Sequence, residues 1–289
     1  MAAIESIGPS VVDTHVHLWD VSNLKYGWLE GNPTLNRNYL TSDYDEATEG
    51  VSVEHMVFVQ CDPLPEQNLA EAEWVAELAK GEPRITGIVA GAAVELGDGV
   101  VEVLDRLSDV SLVTGIRRLL HTQPDPDLCI SSDFVRGVQL LESYNLSFDL
   151  CLAPSYLPNA KKLVASCSNV QFILDHHGNP DIKGGGFEPW ASDIASLAEM
   201  PNVVGKVSGV ITAAPEKWTV DDLRSYVEHF VESFGWDRVV FGGDWPVVTL
   251  AGPWRAWFDA LCEILDGASD SECAKLFSDN AIRVYKLGA

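Results

Sequence analysis

The sequence predicts an α/β protein, a single (β/α)8 TIM barrel, from three observations. Short runs rich in Val, Ile and Phe alternate with segments of helical periodicity along all 289 residues. Eight such runs are found, and eight parallel strands with intervening helices close a barrel of about 250 residues. No run is followed by the GxGxxG loop that a dinucleotide-binding open sheet needs. We therefore expect one domain spanning residues 1–289.

The elements follow in order from the local patterns. The predicted strands are residues 11–17, 53–60, 86–94, 113–120, 147–153, 170–177, 203–208 and 239–244. Apolar residues three or four apart predict helices over residues 67–80, 100–107, 132–144, 157–166, 190–199 and 220–234. Residues 20–45 form a long loop insertion, rich in aromatic and turn residues, after the first strand. A loop at that end of a barrel strand lies over the active-site face.

Composition excludes several classes of partner. The net charge of −24 disfavours nucleic acid and anionic membranes. No apolar stretch is long enough to span a bilayer, and MAAIESIGPS lacks the features of a secretory signal. The six cysteines show no CxxC pairing, so we expect reduced, buried thiols. These features predict a soluble, cytoplasmic protein that acts on a small molecule, and they leave the oligomeric state open.

The segment VVDTHVHLWD places two histidines on one face of the first strand. Residues i and i+2 of a strand point the same way, so His15 and His17 project side by side, directly after the apolar pair Val11 and Val12. Buried imidazoles need partners for their ring nitrogens. The pair therefore indicates a site that binds something.

Further polar side chains stand at the carboxyl ends of other predicted strands, where a barrel brings them to one pocket. They are Gln60, Arg117, His176, Lys206, Ser208 and Asp244. Arg118 and His177 point to the opposite face in a regular strand, so His177 is interpreted as a structural residue between barrel and helices. His121 lies just past the fourth strand, within reach of the pocket.

This order of motifs resembles the amidohydrolase superfamily. The closer resemblance is to its lactonase-type branch of sugar-lactone hydrolases (such as L-fuconolactonase and L-rhamnonolactonase) and 2-pyrone-4,6-dicarboxylate lactonase relatives. The matching segments are VVDTHVHLWD, YGWL, GIRRLL, LDHHGNPDI, GKVSG and FGGDWPV, spread over residues 11–247. The resemblance implies an amidohydrolase-type barrel that opens the ester ring of an aldonolactone, such as L-fuconolactone or L-rhamnonolactone, in carbohydrate catabolism.

The chain departs from the superfamily at its metal ligands. Members with two metals use a carboxylated lysine or a glutamate on strand four, where this chain has Arg117 and Arg118. Single-metal members usually add a histidine from strand five, but SFDLCLA contains none. His15, His17 and Asp244, with His176 as a further candidate, remain as ligands for zinc. We therefore expect that no metal is required, while a bound zinc stays possible.

Lactone hydrolysis needs a base for water and donors for the developing oxyanion. Asp244 is the predicted base, and His15, His17 and Arg117 are the predicted donors. His176 either shares in that donation or protonates the leaving ring oxygen. Candidate substrate contacts are Trp28, Gln60, His121, Lys206 and Trp245, each with structural packing or hydrogen bonding as the alternative.

Three other functions stay open from the sequence. A dicarboxylate lactonase of aromatic catabolism would use Arg117 and Arg118 to bind anions. A zinc-dependent decarboxylase of the same superfamily is weakened by the missing histidine on strand five. A non-catalytic barrel that binds a small ligand requires the His and Asp set to be inert. The stereochemistry and ring size of a sugar lactone are not determined by the sequence.

Overall fold

The structure is a computed structural model that describes residues 10–288. It contains an eight-stranded parallel sheet in which each strand pairs with the next along the chain. The strands are β1 (Val11–Val16), β2 (Val53–Val59), β3 (Ile85–Gly91), β4 (Val113–Arg117), β5 (Ser147–Leu150), β6 (Phe172–Leu174), β7 (Val203–Val207) and β8 (Val239–Phe241). Together with the helices between them, these strands confirm the predicted (β/α)8 barrel.

The helices cover the outside of the sheet. They are α1 (Thr41–Ala47), α2 (Asn68–Leu78), α3 (Val101–Ser108), α4 (Ser132–Leu140), α5 (Leu157–Ser166), α6 (Trp190–Ala198), α7 (Val220–Phe234), α8 (Trp254–Ile264), α9 (Asp270–Ala274) and α10 (Asn280–Tyr285). The predicted boundaries of α5 and α7 are confirmed. Helix α1 begins inside the predicted loop insertion, because Asp43 accepts a hydrogen bond from the Leu40 amide and caps the first turn. Within residues 10–288 no helix combines the length and apolar character needed to cross a bilayer.

The inside of the barrel is apolar at its amino-terminal end. Inward-facing side chains of the strands form a buried cluster that the C-terminal segment joins through residues such as Tyr285 and Leu287. Toward the carboxyl ends of the strands, the interior becomes polar, with Asp149, Asp175 and Lys206 all fully buried. This polar layer lies at the end of the barrel where the predicted site residues were expected.

β1 and β8 are joined by few backbone hydrogen bonds and by several side-chain hydrogen bonds. One bridge joins Val16 to Trp245, and the His17 amide donates to the Trp245 carbonyl at 2.7 Å. Asp13 reinforces this junction. Its carboxylate accepts hydrogen bonds from the amides of His15 and Gly243, from the Tyr44 hydroxyl and from the Trp254 indole. Burial raises the pKa of Asp13 to about 6, although these hydrogen bonds oppose the shift.

Several strands end earlier than the sequence predicts. β6 stops at Leu174, and residues Asp175–Gly178 form a turn in which His176 and His177 have φ angles of 52° and 55°. Left-handed backbone cannot continue a β ladder, so the prediction of a strand to residue 177 is wrong. The register of β1 also shifts between Asp13 and Val16. Such an irregularity re-aims side chains, and here it accompanies the inward placement of His15 and His17.

Candidate active site

A cavity of about 270 Å³ opens at the carboxyl ends of the strands. Its walls are formed by His17, Trp28, Cys61, Asp62, Arg117, Leu119, His121, Thr122, Cys151, His176, Asn179, Thr212, Asp244 and Val247. Of the predicted site residues, six line it directly. His15 is completely buried next to them. Because Trp28 belongs to the insertion after β1, that insertion covers the site face as predicted.

Asp244 is the point on which three imidazoles converge. Its Oδ1 atom lies 3.8 Å from His15 Nε2, 3.7 Å from His17 Nε2 and 3.9 Å from His176 Nε2. These separations are too long for direct hydrogen bonds. A small group held between the four side chains, such as a water molecule or a substrate oxygen, would be surrounded by a carboxylate and three ring nitrogens.

The protonation of His17 follows from its contact behind the cavity. Its Nδ1 lies 2.7 Å from the carbonyl oxygen of Val59, which can only accept, so Nδ1 carries the hydrogen. Burial lowers the pKa of His17, with Asp244 acting in the opposite direction. The neutral ring therefore presents the lone pair of Nε2 to the cavity. The predicted role of His17 as a donor to an oxyanion is thus corrected to that of an acceptor.

His176 is oriented from behind by a hydroxyl group. Its Nδ1 lies 2.9 Å from Ser208 Oγ, and a side chain on Gly209 would collide with the ring. A serine hydroxyl can donate to Nδ1, which leaves the hydrogen of a neutral imidazole on Nε2. Of the histidines lining the cavity, His176 can therefore act as a donor while uncharged. The last residue of the GKVSG segment is therefore a glycine, because a side chain there would occupy the space of the His176 ring.

A buried ion-pair layer supports His15 from below. Lys206 Nζ lies 2.7 Å from Asp149 Oδ2 and 2.8 Å from Asp175 Oδ1. Burial alone would lower the pKa of Lys206, but the two carboxylates hold it well above its ordinary value. Lys206 Nζ also lies 3.2 Å from His15 Nδ1. Burial and this ammonium lower the pKa of His15 well below its ordinary value, so its ring is neutral.

Arg117 joins this layer to the cavity wall. Its Nη1 lies 3.4 Å from Asp175 Oδ2 and 3.3 Å from His15 Nε2, while Nη2 donates to the carbonyl of Gln60. The guanidinium is therefore fixed in orientation by protein groups. It still forms part of the cavity surface, where it can stabilise negative charge on a bound oxygen.

Three of the predicted substrate contacts, Trp245, Lys206 and Gln60, lie outside the cavity wall. The Trp245 ring is buried between Tyr39 and Tyr44, away from the cavity walls. Lys206 lies wholly beneath the site. The Gln60 side chain accepts from the Asp62 amide instead of facing the cavity. The predicted structural role of His177 fits its packing against Phe230, and burial lowers its pKa to about 3.

Sequence reasoning missed several residues of the site. Asp62, Asn179 and Thr212 line the cavity but follow strands that end earlier than predicted. Asp62, His176, Asn179 and Asp244 have left-handed φ angles of 55°, 52°, 53° and 55°. Non-glycine residues in this region are strained, and such strain is typical of functional sites. Asp149 could have been found as a carboxylate within an otherwise apolar strand sequence, and Asp175 is one of the polar residues that the sequence places at the end of the sixth strand.

The donor set fits a zinc ion in residue type. His15, His17 and Asp244 offer ligand atoms that lie within 4.8 Å of one another. Two imidazoles and one carboxylate are a ligand set found in catalytic zinc sites. The histidine Nδ1 contact of His17 with a carbonyl is the kind of outer hydrogen bond that orients metal-binding imidazoles. The cations of Arg117 and Lys206 on either side of His15 weaken this fit electrostatically.

Comparison with known proteins identifies relatives along the whole barrel. A family model described as amidohydrolase matches residues 12–287. The chain is 24% identical over 283 residues to an L-fucono-1,5-lactonase of Burkholderia ambifaria, with 96% of this chain and 95% of the relative covered. It is 27% identical over 301 residues to an L-fucono-1,5-lactonase of Burkholderia multivorans, with 97% of both chains covered.

Solved structures share the fold. An amidohydrolase from Burkholderia multivorans with bound zinc superimposes with a TM-score of 0.86 at 24% identity, covering 96% of this chain and 100% of the other. A probable 2-pyrone-4,6-dicarboxylic acid hydrolase from Acinetobacter baumannii, with citric acid bound, gives a TM-score of 0.76 at 17% identity. That match covers 96% of this chain and 99% of the other.

Proposed function

The chain belongs to the amidohydrolase family, and from this premise we propose that it is a lactonase that opens the ester ring of a sugar-acid lactone. L-Fuconolactone and L-rhamnonolactone are the substrates we would test first, since two relatives are L-fucono-1,5-lactonases. The observation that carries the proposal is the convergence of three histidine Nε2 atoms on Asp244 Oδ1 beside Arg117. This cluster can hold a water molecule against a bound carbonyl group.

In the proposed reaction, Asp244 is the general base. Its carboxylate takes a proton from a water molecule, whose oxygen attacks the lactone carbonyl carbon. The lone pair on His17 Nε2 accepts the second hydrogen of the same water and so orients the attack. When the bond between the carbonyl carbon and the ring oxygen breaks, the ring oxygen leaves as an alkoxide and takes up the proton held by Asp244, which regenerates the carboxylate. The hydroxy acid formed in this way loses one proton to solvent.

Arg117 and His176 supply the donors. As the carbonyl oxygen gains negative charge, the fixed guanidinium of Arg117 stabilises it without reorganising. His176 donates from Nε2 to the leaving ring oxygen, and its orientation depends on Ser208. His15 stays neutral and positions Arg117 through its Nε2 atom. The catalytic set is therefore Asp244, His176, His17 and Arg117, with His15 as a positioning residue.

A metal is not required in this proposal. If zinc binds, His15, His17 and Asp244 would hold it, with His176 nearby, and it would polarise the carbonyl group and acidify a bound water. A lactone is an activated ester, so hydrogen-bond donors suffice for its oxyanion. The protein's own groups described above provide those donors.

The site favours a neutral substrate over the lactone of a dicarboxylate. Arg117 is the permanent cation at the cavity wall among the described residues, and it is already bound by Asp175 and Gln60. Arg118 pairs with Glu95 outside the cavity. The runner-up function, a dicarboxylate lactonase, would need a further cation for the second carboxylate. Similarity of fold to a probable pyrone dicarboxylic acid hydrolase does not place a second cation in this cavity.

We extend the proposal to the setting of the enzyme. The whole chain acts as one barrel domain on a small lactone, with neither nucleic acid nor membrane as partner, in carbohydrate catabolism. Five of the six cysteines are free and buried, and the sixth is free and partly buried, as suits a reducing compartment such as the cytoplasm.

A lactone panel tests the function. Ring opening releases one proton, so a pH-indicator assay with aldonolactones, unsubstituted lactones and pyrone dicarboxylate measures turnover of every candidate. We expect the highest kcat/KM for an aldonolactone. Asp244→Asn should lower kcat by about 100-fold or more, because it removes the base but fits the left-handed backbone.

The matched control for this substitution is Asp221→Asn, whose side chain is 91% exposed on α7. It should leave kcat unchanged. Turnover close to that of the wild type in a folded Asp244→Asn variant would remove Asp244 from the mechanism. A wild-type protein that hydrolyses no lactone in the panel would reject the proposed function.

A further inference from the structure

We propose that Asp62 is a substrate-binding residue that accepts hydrogen bonds from hydroxyl groups of the lactone and so selects polyhydroxylated rings. The inference rests on the proposed lactonase function, which it deepens by assigning a residue to the recognition of the sugar hydroxyls. It starts from an unexpected feature of the cavity. Besides Asp244, Asp62 is the carboxylate on its wall among the described residues, and the mechanism above does not use it.

Among the residues that the structure describes, none donates a hydrogen bond to the Asp62 carboxylate. Within residues 10–288 only its backbone amide takes part in a side-chain contact, donating to Gln60 Oε1, and no ion pair involves the carboxylate. Arg117, on the same cavity wall, already binds Asp175 and the Gln60 carbonyl. Both oxygens of Asp62 are therefore available to accept hydrogen bonds from a ligand in the cavity.

The backbone that carries Asp62 is held on several sides. Gln60 contributes its carbonyl to Arg117 and its side-chain oxygen to the Asp62 amide. The Cys61 amide donates to both oxygens of the buried Glu71 at 3.2 Å. These contacts fix residues 60–62 and sustain the left-handed conformation of Asp62, whose φ is 55°. The carboxylate is thus presented to the cavity by a preorganised segment, which lowers the entropy lost when a ligand binds.

The same segment positions an aromatic ring. The indole of Trp28 donates to the Cys61 carbonyl at 2.7 Å, and Trp28 also lines the cavity. An aromatic surface and a carboxylate are complementary to a sugar ring, which has an apolar C–H face and a rim of hydroxyl donors. Hydrogen bonds to an ionised acceptor are stronger than those between neutral groups. Asp62 and Trp28 together therefore form a subsite for a polyol.

The charge of Asp62 also bears on selectivity. With Asp244, it places two carboxylates on a cavity wall whose guanidinium is already paired. A lactone that carries a free carboxylate meets repulsion there, while a neutral aldonolactone meets acceptors for its hydroxyl groups. A ring without hydroxyl groups gains nothing from Asp62.

The test compares two substrates in three proteins: the wild type, Asp62→Ala and Asp62→Asn. L-Fucono-1,5-lactone carries hydroxyl groups, whereas δ-valerolactone has the same six-membered ester ring without them. For Asp62→Ala we expect the KM of L-fuconolactone to rise by about tenfold or more, with kcat changed by less than about threefold. The KM of δ-valerolactone should not change. Asp62→Asn keeps one acceptor oxygen and the left-handed backbone. Its KM for L-fuconolactone should therefore lie between that of the wild type and that of Asp62→Ala.

Glu66→Gln is the matched control, since Glu66 is exposed in the same connection but does not line the cavity. It should behave as the wild type, and thermal unfolding should show that all variants fold. An equal rise in KM for both lactones, or no rise for L-fuconolactone, would overturn the role of Asp62.

Direct binding separates this inference from the proposed function. L-Fucose has the hydroxyl groups but no ester to hydrolyse, so calorimetric titration measures recognition without catalysis. We expect weaker binding of L-fucose to Asp62→Ala than to the wild type. If the wild type hydrolyses no lactone but this difference persists, the lactonase proposal fails while the subsite stands. Equal binding to both proteins would contradict the subsite, whatever the enzyme hydrolyses.

Discussion

Each histidine of the site is distinguished by the atom behind its ring. His17 faces a carbonyl, His176 a hydroxyl, and His15 an ammonium and a carboxylate. The HxH spacing predicts that His15 and His17 share a face, which the structure confirms, but spacing carries no information on tautomers. For His17 and His176 that information comes from Val59 on β2 and Ser208 directly after β7. The roles of the histidines can therefore be assigned only once these tertiary contacts are known.

Two tryptophans show why individual contacts were harder to predict than the pocket. Trp28 and Trp245 both follow site motifs, and both are suitable for stacking on a sugar ring. Trp28 is 40% exposed and lines the cavity, whereas Trp245 is 2% exposed and packs against Tyr39 and Tyr44. The difference depends on how the insertion folds over the barrel. No local periodicity encodes that arrangement.

Metal dependence is a prediction at the scale of single residues. Arg117 Nη1 lies 3.3 Å from His15 Nε2, and Lys206 Nζ lies 3.2 Å from His15 Nδ1. Both cations disfavour a further positive charge at His15, and the oxyanion already has donors. We expect enzyme that has been treated with a chelator, and shown to be metal-poor by elemental analysis, to retain most of its lactonase activity.

The control for this experiment is the same preparation with zinc or manganese added back, which should change the rate little. Loss of activity on chelation, followed by recovery with added metal, would show that His15, His17 and Asp244 act first as ligands. The zinc-dependent decarboxylase alternative would then gain support.

At the scale of elements, strand positions were predictable but strand ends were not. Seven of the eight predicted strands contain the observed ones and β3 begins one residue before its predicted start, because β-branched runs in a barrel are buried on both faces and are largely apolar. The polar site residues lie at or just after the carboxyl ends of the strands, and the sequence pattern included them in the predicted strands. In β6, the backbone instead turns left-handed at His176 and His177. These backbone conformations follow from the tertiary contacts of the site and not from β propensity.

The junction of β1 and β8 leads to a prediction about stability. Asp13 accepts hydrogen bonds from Gly243, Tyr44 and Trp254, and a side chain on Gly243 would collide with this carboxylate. Asp13→Ala would leave these buried donors without partners. We expect it to lower the free energy of unfolding by at least about 3 kcal/mol, measured by chemical denaturation.

Tyr44→Phe provides a graded control, since it removes one donor and keeps the ring. Its expected loss is about 1 kcal/mol. If Asp13→Ala unfolds with the same free energy as Tyr44→Phe, then the carboxylate does not hold the two strands together.

At the scale of the whole molecule, the net charge of −24 acts differently on substrate and product. A neutral aldonolactone feels no net force from this field, but ring opening creates a carboxylate that the field repels. Salt screens the field, with a Debye length of about 10 Å at 0.1 M. The field of the protein therefore favours release of the product of the proposed reaction.

This asymmetry gives a measurable dependence on ionic strength. Between about 20 and 300 mM NaCl, we expect kcat/KM for L-fuconolactone to change by less than about twofold. Over the same range, the inhibition constant of the sugar acid should fall by about twofold or more, because screening weakens its repulsion. A parallel series with sorbitol at equal osmolality controls for effects of solute concentration. If the preferred substrate were a dicarboxylate lactone, its own kcat/KM would rise with salt, since the field would then oppose substrate binding. The salt series thus distinguishes the two lactonase functions by charge, independently of the residues that line the cavity.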